Sequence, residues 1–315
     1  MSKPLKILVI RFSSIGDIVL TTPVIRCLKK QLNSEVHFLT KKEFFCLLEN
    51  NPYVHQLHAI ENGLENLNSL GFDWVIDLHY NLRTSKVKRV LGVPSKSFYK
   101  LNIEKWLLTT FKINRLPNKH IVDRFLDTVA HLGVRNDNLG LDYFLAENKS
   151  LLNRLELPEK YVALVIGGQH ATKILPIDRL QEVCQQVKLP VVLIGGPEDK
   201  SRGEEIAQNQ TEVFNTCGDL SINHSAFLIK HAQKVITHDT GMMHIAAAFK
   251  KKIISIWGNT VPDFGMYPYM SNKQSKILEV KNLPCRPCSK IGYKKCPKGH
   301  FKCMNQIDLS LISGE

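Results

Sequence analysis

The chain has 315 residues, is 43% hydrophobic, and carries 42 Lys+Arg against 29 Asp+Glu for a formal net charge of +13. This length fits two domains of ordinary size, and the apolar fraction excludes a disordered chain. No apolar run approaches the roughly 20 residues that span a bilayer, and the early run Ile7–Ile10 is too short for a secretory leader, so a cytoplasmic protein is expected.

Short apolar runs alternate with helical patterns. In the first half the strands are expected at Lys6–Ile10, Val36–Leu39, Gln56–Ile60, Trp74–Leu78 and Ser97–Tyr99. Ile18, Ile25, Leu28 and Leu32 share one face of a helix over Asp17–Leu32, with Pro23 kinking it early. A second helix spans Val122–Leu132 and ends at Gly133, a C-terminal cap. The polar stretch 136–158 reads as the passage between domains. The pattern then restarts. Strands are expected at Tyr161–Ile166, Val191–Ile194, Val213–Phe214, Val235–Thr237 and Ile253–Ile256. Helices are expected at Pro176–Val187, Asp199–Gln208, Ser221–His231 and Met242–Phe249. Such alternation gives α/β architecture with parallel sheets covered on both faces. Two sets in one chain give two Rossmann-like domains, 1–150 and 151–315, facing each other across a central cleft.

Ligands of such sheets bind beyond the carboxyl ends of the strands, so the turns there are the places for chemistry. The first turn is Arg11–Asp17. Ser14 and Asp17 are spaced as a capping box, yet Asp17 could equally serve as a general base for an attacking hydroxyl. There is no GxGxxG dinucleotide fingerprint and no P-loop. The second turn, Gly167–Lys173, has paired glycines that let backbone approach a ligand and Lys173 as a positive charge for phosphate. The third, Gly195–Asp199, offers Glu198 either to ribose hydroxyls or to a helix N-terminus. The fourth, Thr237–Ala248, places Asp239, Thr240, Gly241 and His244 at the opening of a helix, where free N–H groups suit an anion. Three such turns in one half converge on a nucleotide diphosphate. No Asp-x-Asp pair occurs, so a metal-bridged diphosphate is not indicated.

Charge is unevenly spread. Leu78–Ile103 holds six basic residues and no acid, and Val280–Ile307 holds seven and no acid. The second segment includes Cys285, Cys288, Cys296 and Cys303. Their spacing leaves two readings open: a structural zinc or Fe–S site, or free thiols in a capped tail.

These residues resemble glycosyltransferase family 9, the ADP-heptose:lipopolysaccharide heptosyltransferases. The family opening R-x-S-S-x-G-D corresponds to Arg11–Asp17, with Pro23 following. Its middle motif D-L-x-x-x-x-R corresponds to Asp77–Arg83. Its strongest signature, D-T-G-x-x-H-x-A-A, corresponds to Asp239–Ala247, followed by a strand ending at Gly258. The resemblance implies a GT-B fold and an inverting, metal-independent transfer of a sugar from a nucleotide donor, with no cofactor required for catalysis. It implies ADP-heptose as donor and a lipopolysaccharide core or related phosphorylated glycolipid as acceptor. By position Asp17 would be the catalytic base. Lys173, Glu198, Asp239, Thr240, Gly241 and His244 would bind the donor, and Ser14, Gly16 and Arg83 would lie on the acceptor side. The basic segment would face an anionic membrane surface, which places a monomeric enzyme on the cytoplasmic face of the inner membrane, with no nucleic-acid partner. Two departures stand out: His170–Lys173 replaces a more aspartate-rich loop, and Asn259–Asp263 replaces the family's G-P-T-x-P. The rival readings are a nucleotide-sugar-binding protein using another donor and a nicotinamide-dependent oxidoreductase.

Overall fold

The computed structural model describes residues 3–146 and 154–313. The chain divides into two compact units, Met1–Leu101 with Lys119–Ala146 and Asn102–Asn118 with Glu147–Glu315. The domain boundary expected at residue 150 lies outside the described residues.

The first unit is built on a five-stranded parallel sheet of order β3-β2-β1-β4-β5. Its strands are β1 (Lys6–Ile10), β2 (Glu35–Thr40), β3 (Gln56–Ala59), β4 (Trp74–Asp77) and β5 (Ser95–Ser97). Ile7 to Ile10 of the central strand have no exposed surface, as a parallel strand covered on both faces requires. The helix expected over Asp17–Leu32 is two helices, Ile15–Val19 and Thr22–Leu32. Pro23 causes no kink because it lies in the first turn of the second helix, where its missing N–H is not needed. The expected helix ending at Gly133 is likewise divided, into Ile121–Asp127 and a 3-10 turn over Ala130–Leu132, and Gly133 closes it at φ 81. β5 lies two residues earlier than expected.

The polar stretch after residue 136 is not a loose passage, as far as Asp142. Arg26, only 1% exposed, holds Asp137 at 2.7 Å and also bonds Asp142 and the Gly140 carbonyl. A buried guanidinium must satisfy its donors, and this segment supplies the acceptors. Residues 147–153 of the same stretch lie outside the described residues.

The second unit is built on a six-stranded parallel sheet of order β11-β10-β9-β6-β7-β8. Its strands are β6 (Val162–Val165), β7 (Val191–Ile194), β8 (Val213–Asn215), β9 (Lys234–His238), β10 (Ile253–Trp257) and β11 (Lys276–Glu279). The segment Asn102–Asn118, with its helix Asn102–Phe111, belongs to this unit. The cysteine-rich tail joins its core as well: Cys303, Met304, Ile307, Leu309 and Ile312 pack with Ile254, Ile256 and Leu278.

Candidate active site

In the first unit the chain leaves β1 through Arg11 and enters the helix Ile15–Val19, whose third residue is Asp17. The backbone N–H and the hydroxyl of Ser14 both donate to Oδ2 of Asp17, at 3.2 and 3.0 Å. The acid therefore reaches back to the helix cap as a capping box requires. Its other oxygen is 2.7 Å from Arg11. Arg11 is itself pinned, because Nε donates to the Ser13 carbonyl at 2.8 Å and a terminal nitrogen donates to the Leu78 carbonyl at 2.6 Å. Burial alone would push the Asp17 carboxyl up. The Arg11 charge, together with the hydrogen bonds from Ser14 and Arg11, outweighs burial and holds its pKa below the ordinary value. Asp17 is thus ionised at neutral pH and still partly accessible, with its side chain 20% exposed.

The residues expected on the acceptor side follow β1 and β4, which lie side by side. Ser14 is exposed and Gly16 buried. Arg83 is exposed on the helix Leu82–Leu91 and lies 5.3 Å over the Phe12 ring. This helix went unrecognised because it is basic and offers few apolar positions; Asn81 caps it by accepting from the Thr84 N–H at 3.0 Å. Asp77 of the middle motif is wholly buried and shapes the turn by accepting from the N–H groups of His79 and Tyr80 at 3.0 and 2.7 Å. Its second oxygen is 3.0 Å from Lys88, so one lysine of the basic segment has a structural duty. The sequence reading passed over His79. Burial, then the charges of Arg11 and Lys100, push it down to about 4. It stays neutral at pH 7 beside Phe12, at 5.0 Å between rings.

In the second unit Lys173 and Asp239 meet. Lys173 Nζ is 2.6 Å from Asp239 Oδ2 and 3.3 Å from the Asp239 carbonyl. The Thr260 hydroxyl donates to the same carboxylate oxygen at 2.9 Å. These residues follow β6, β9 and β10, three adjacent strands. Thr240 is the cap of the helix Gly241–Ala248, and its hydroxyl lies 3.3 Å from that of Thr237. The helix opens its free N–H groups beside the lysine, a combination suited to a phosphate. Gly241 is half-buried in its first turn, and His244 is 2% exposed, packed in the helix.

Glu198 is exposed, and its carboxylate folds over Gly196. One glycine of each pair also has a packing role. A Cβ on Gly167 would come 2.2 Å from Asp199 Oδ2, and one on Gly195 would come 2.7 Å from Asp199 Cβ. They make room for Asp199, which is 5% exposed and accepts from the Gly196 N–H at 3.0 Å. Burial pushes the Asp199 carboxyl up.

The tail also holds the turns that follow β6 and β10, which its sequence did not reveal. Arg286 donates to the carbonyls of Gly258 and Thr260 at 2.6 and 2.8 Å and pairs with Glu279 at 2.7 Å. The N–H of Thr172, the neighbour of Lys173, donates to the Tyr293 carbonyl at 3.2 Å, and the Tyr293 N–H donates to the Thr172 hydroxyl at 2.8 Å. The four tail cysteines are free and near one another. Burial, then neighbouring thiols, push Cys303 up to about 12. Among the described residues no three of their sulfurs come within 4.8 Å of one another, and both readings of Cys285, Cys288, Cys296 and Cys303 stay open.

Comparison with known proteins places these features in context. A model of glycosyltransferase family 9 (heptosyltransferase) matches residues 64–297. The chain is 23% identical over 316 residues to lipopolysaccharide heptosyltransferase 1 of Campylobacter coli, covering 89% of this chain and 92% of that protein. It is 26% identical over 330 residues to lipopolysaccharide heptosyltransferase 3 of Escherichia coli (strain K12), covering 95% and 92%. Among solved structures, a family 9 glycosyl transferase from Veillonella parvula DSM 2008 superposes with TM-score 0.76 at 22% identity, covering 99% of this chain and 94% of that one. The E. coli ADP-heptose LPS heptosyltransferase II superposes with TM-score 0.73 at 20% identity, covering 98% of each.

Proposed function

The chain belongs to glycosyltransferase family 9, and from that premise we propose that it moves a heptose from ADP-heptose to a lipopolysaccharide core or a related phosphorylated glycolipid. Membership makes it a glycosyltransferase and displaces the oxidoreductase reading. The observation that carries the mechanism is the Arg11–Asp17 pair, which keeps a carboxylate ionised at the end of β1.

The reaction we infer is an in-line attack of an acceptor hydroxyl on the anomeric carbon, with inversion. As the new C–O bond forms, the hydroxyl proton passes to Asp17. A carboxylate of depressed pKa is too weak to deprotonate an alcohol beforehand, so proton transfer accompanies attack. The C–O bond to the diphosphate breaks, and its electron pair leaves with ADP. Lys173 and the N–H groups opening at Gly241 stabilise the charge that develops there. The lysine and the helix end would carry this charge without a bridging metal, in line with the missing Asp-x-Asp pair. Asp239 and Thr260 orient the lysine, Glu198 would hold the ribose, and Thr240 and His244 would line the diphosphate and sugar.

For the acceptor, Ser14, Gly16 and Arg83 lie around Asp17, and the exposed basic residues of the segment 83–100 suit an anionic headgroup. Among the described residues no helix is long and apolar enough to cross a membrane. Contact with the cytoplasmic face of the inner membrane would be peripheral, by a monomer acting on lipid and not on nucleic acid.

The deciding experiment screens nucleotide sugars by thermal shift and then follows ADP release with a phosphorylated glycolipid acceptor. ADP-heptose should stabilise both wild type and Asp17→Ala, and only wild type should turn over. Stabilisation by a different nucleotide sugar alone would refute the donor assignment. Normal turnover by Asp17→Ala would refute the base.

A further inference from the structure

At the opposite end of the first sheet from Asp17 lies a second cluster that the transfer reaction does not use. Glu35 opens β2 and His37 follows two residues later, so both side chains leave the same face of the strand. His55 immediately precedes β3, and its N–H donates to the Val36 carbonyl at 2.7 Å. One ligand atom from each of Glu35, His37 and His55 lies within 4.8 Å of the other two. We infer that these three residues form a binding site for a divalent transition-metal ion.

The hydrogen bonding of His37 supports this independently. His37 is 2% exposed, and its Nδ1 is 2.9 Å from Nε2 of His58. Its own Nε2 is buried, with no hydrogen-bond partner among the described residues. A proton on Nε2 would be a buried donor with nothing to donate to, which is unfavourable. The proton is better placed on Nδ1, donated to His58. Nε2 then presents an unshared lone pair, and the bond on the far side of the ring fixes its direction. A metal-binding imidazole is held in the same way. The ring is further fixed by stacking on His58 at 5.2 Å and by the edge of Phe72 at 5.1 Å.

The other two ligands can close the site. His55 is exposed and Glu35 half-buried, so both can swing toward His37. Bonds of about 2.0–2.2 Å require less separation than the present one, and these are the side chains free to supply it. Two imidazoles and a carboxylate suit zinc, nickel or copper, not magnesium or calcium. Lys6 is the competing cation, at 3.9 Å from Glu35 Oε2, and its bond to the Leu70 carbonyl gives it another partner. β3 lies at the edge of the sheet, so an ion joining its lead-in to β2 would pin that edge in register.

The test uses the full chain, stripped with chelator and titrated with cobalt(II). The visible spectrum separates the sites, because cobalt bound to tail cysteines shows thiolate charge transfer and cobalt on nitrogen and oxygen does not. Wild type should bind one equivalent with ligand-field bands free of thiolate character. His55→Ala and Glu35→Gln, both away from the core, should each weaken that binding at least about tenfold. Zinc should raise the Tm of wild type and leave His55→Ala unmoved. Absence of saturable binding outside the thiolates, or equal affinity in both variants, would overturn the site.

Discussion

Arg11 and Asp17 form a 2.7 Å ion pair in which the arginine is also anchored to the Leu78 carbonyl. The pair does two things at once. It fixes the direction of the carboxylate, and it fixes its protonation state.

Replacing the carboxylate tests the first role. Asp17→Asn keeps the shape and can still accept from Ser14, but it cannot take a proton. Turnover should fall by about 10²–10⁴-fold, the usual worth of a general base. Donor affinity, read by calorimetry with ADP, should stay within about twofold of wild type.

Replacing the arginine tests the second role. Arg11→Lys keeps a charge but loses the fork that reaches Asp17, Ser13 and Leu78 together. The Asp17 pKa should rise toward its ordinary value. The acid limb of kcat/KM against pH should therefore move to higher pH in the variant. An unmoved acid limb would separate Arg11 from the protonation state of Asp17.

Lys173→Met removes the charge proposed at the diphosphate and leaves Asp239 without its partner. A charge-assisted hydrogen bond is worth about 1.5–3 kcal/mol, so kcat/KM for the donor should fall roughly 10- to 150-fold. Acceptor KM should be unchanged. Initial-rate kinetics with each substrate varied in turn would show it.

The tail bears on stability and on donor binding together. Arg286→Ala leaves Glu279 without its ion-pair partner and frees the turn at Gly258–Thr260. Breaking such a largely buried pair costs about 3 kcal/mol, measurable by urea denaturation. Donor KM should rise in the same variant, because Thr260 orients Asp239 and through it Lys173.

Two of the buried histidines, His79 and His238, contribute to an acid limit on the fold. Burial pushes His79 down to about 4 and His238 down to about 3. His238 also accepts from the Leu175 N–H at 3.0 Å, which protonation would break. The unfolded chain binds protons on both below about pH 6.5, while the native one does not. Stability should therefore be flat with respect to these groups above that pH. Below it, each should cost about 1.4 kcal/mol per pH unit until its native pKa is reached. His79→Asn should lower the slope of unfolding free energy against pH by about 1.4 kcal/mol per unit between pH 6 and about 4.5, leaving the His238 contribution in place.

The central strands were legible because parallel strands buried on both faces are continuous apolar runs, as at Ile7–Ile10 and Val191–Ile194. The turns were legible because polar residues cluster where those runs stop. The helix Leu82–Leu91 was hidden by its own basicity, with Val87 and Leu91 as its buried apolar contacts. Gly167 and Gly195 were visible, but their packing role was not, since Asp199 fills their space from 32 and four residues away. Arg286 was seen only as charge. Nothing local marks a side chain whose acceptors are the carbonyls of Gly258 and Thr260, 28 and 26 residues earlier.

The assignment of Asn102–Asn118 to the second unit makes the first unit discontinuous in sequence. The chain passes between units at 101–102, at 118–119 and again at 146–147. A fragment ending at residue 146 would therefore carry the helix Asn102–Phe111 without the unit it belongs to, leaving Lys112 and Asn114 without the Pro287 carbonyl and the Asp263 carboxylate to which they donate. Separate expression of the first unit calls for splicing Leu101 to Lys119 through a short linker, not for a single cut.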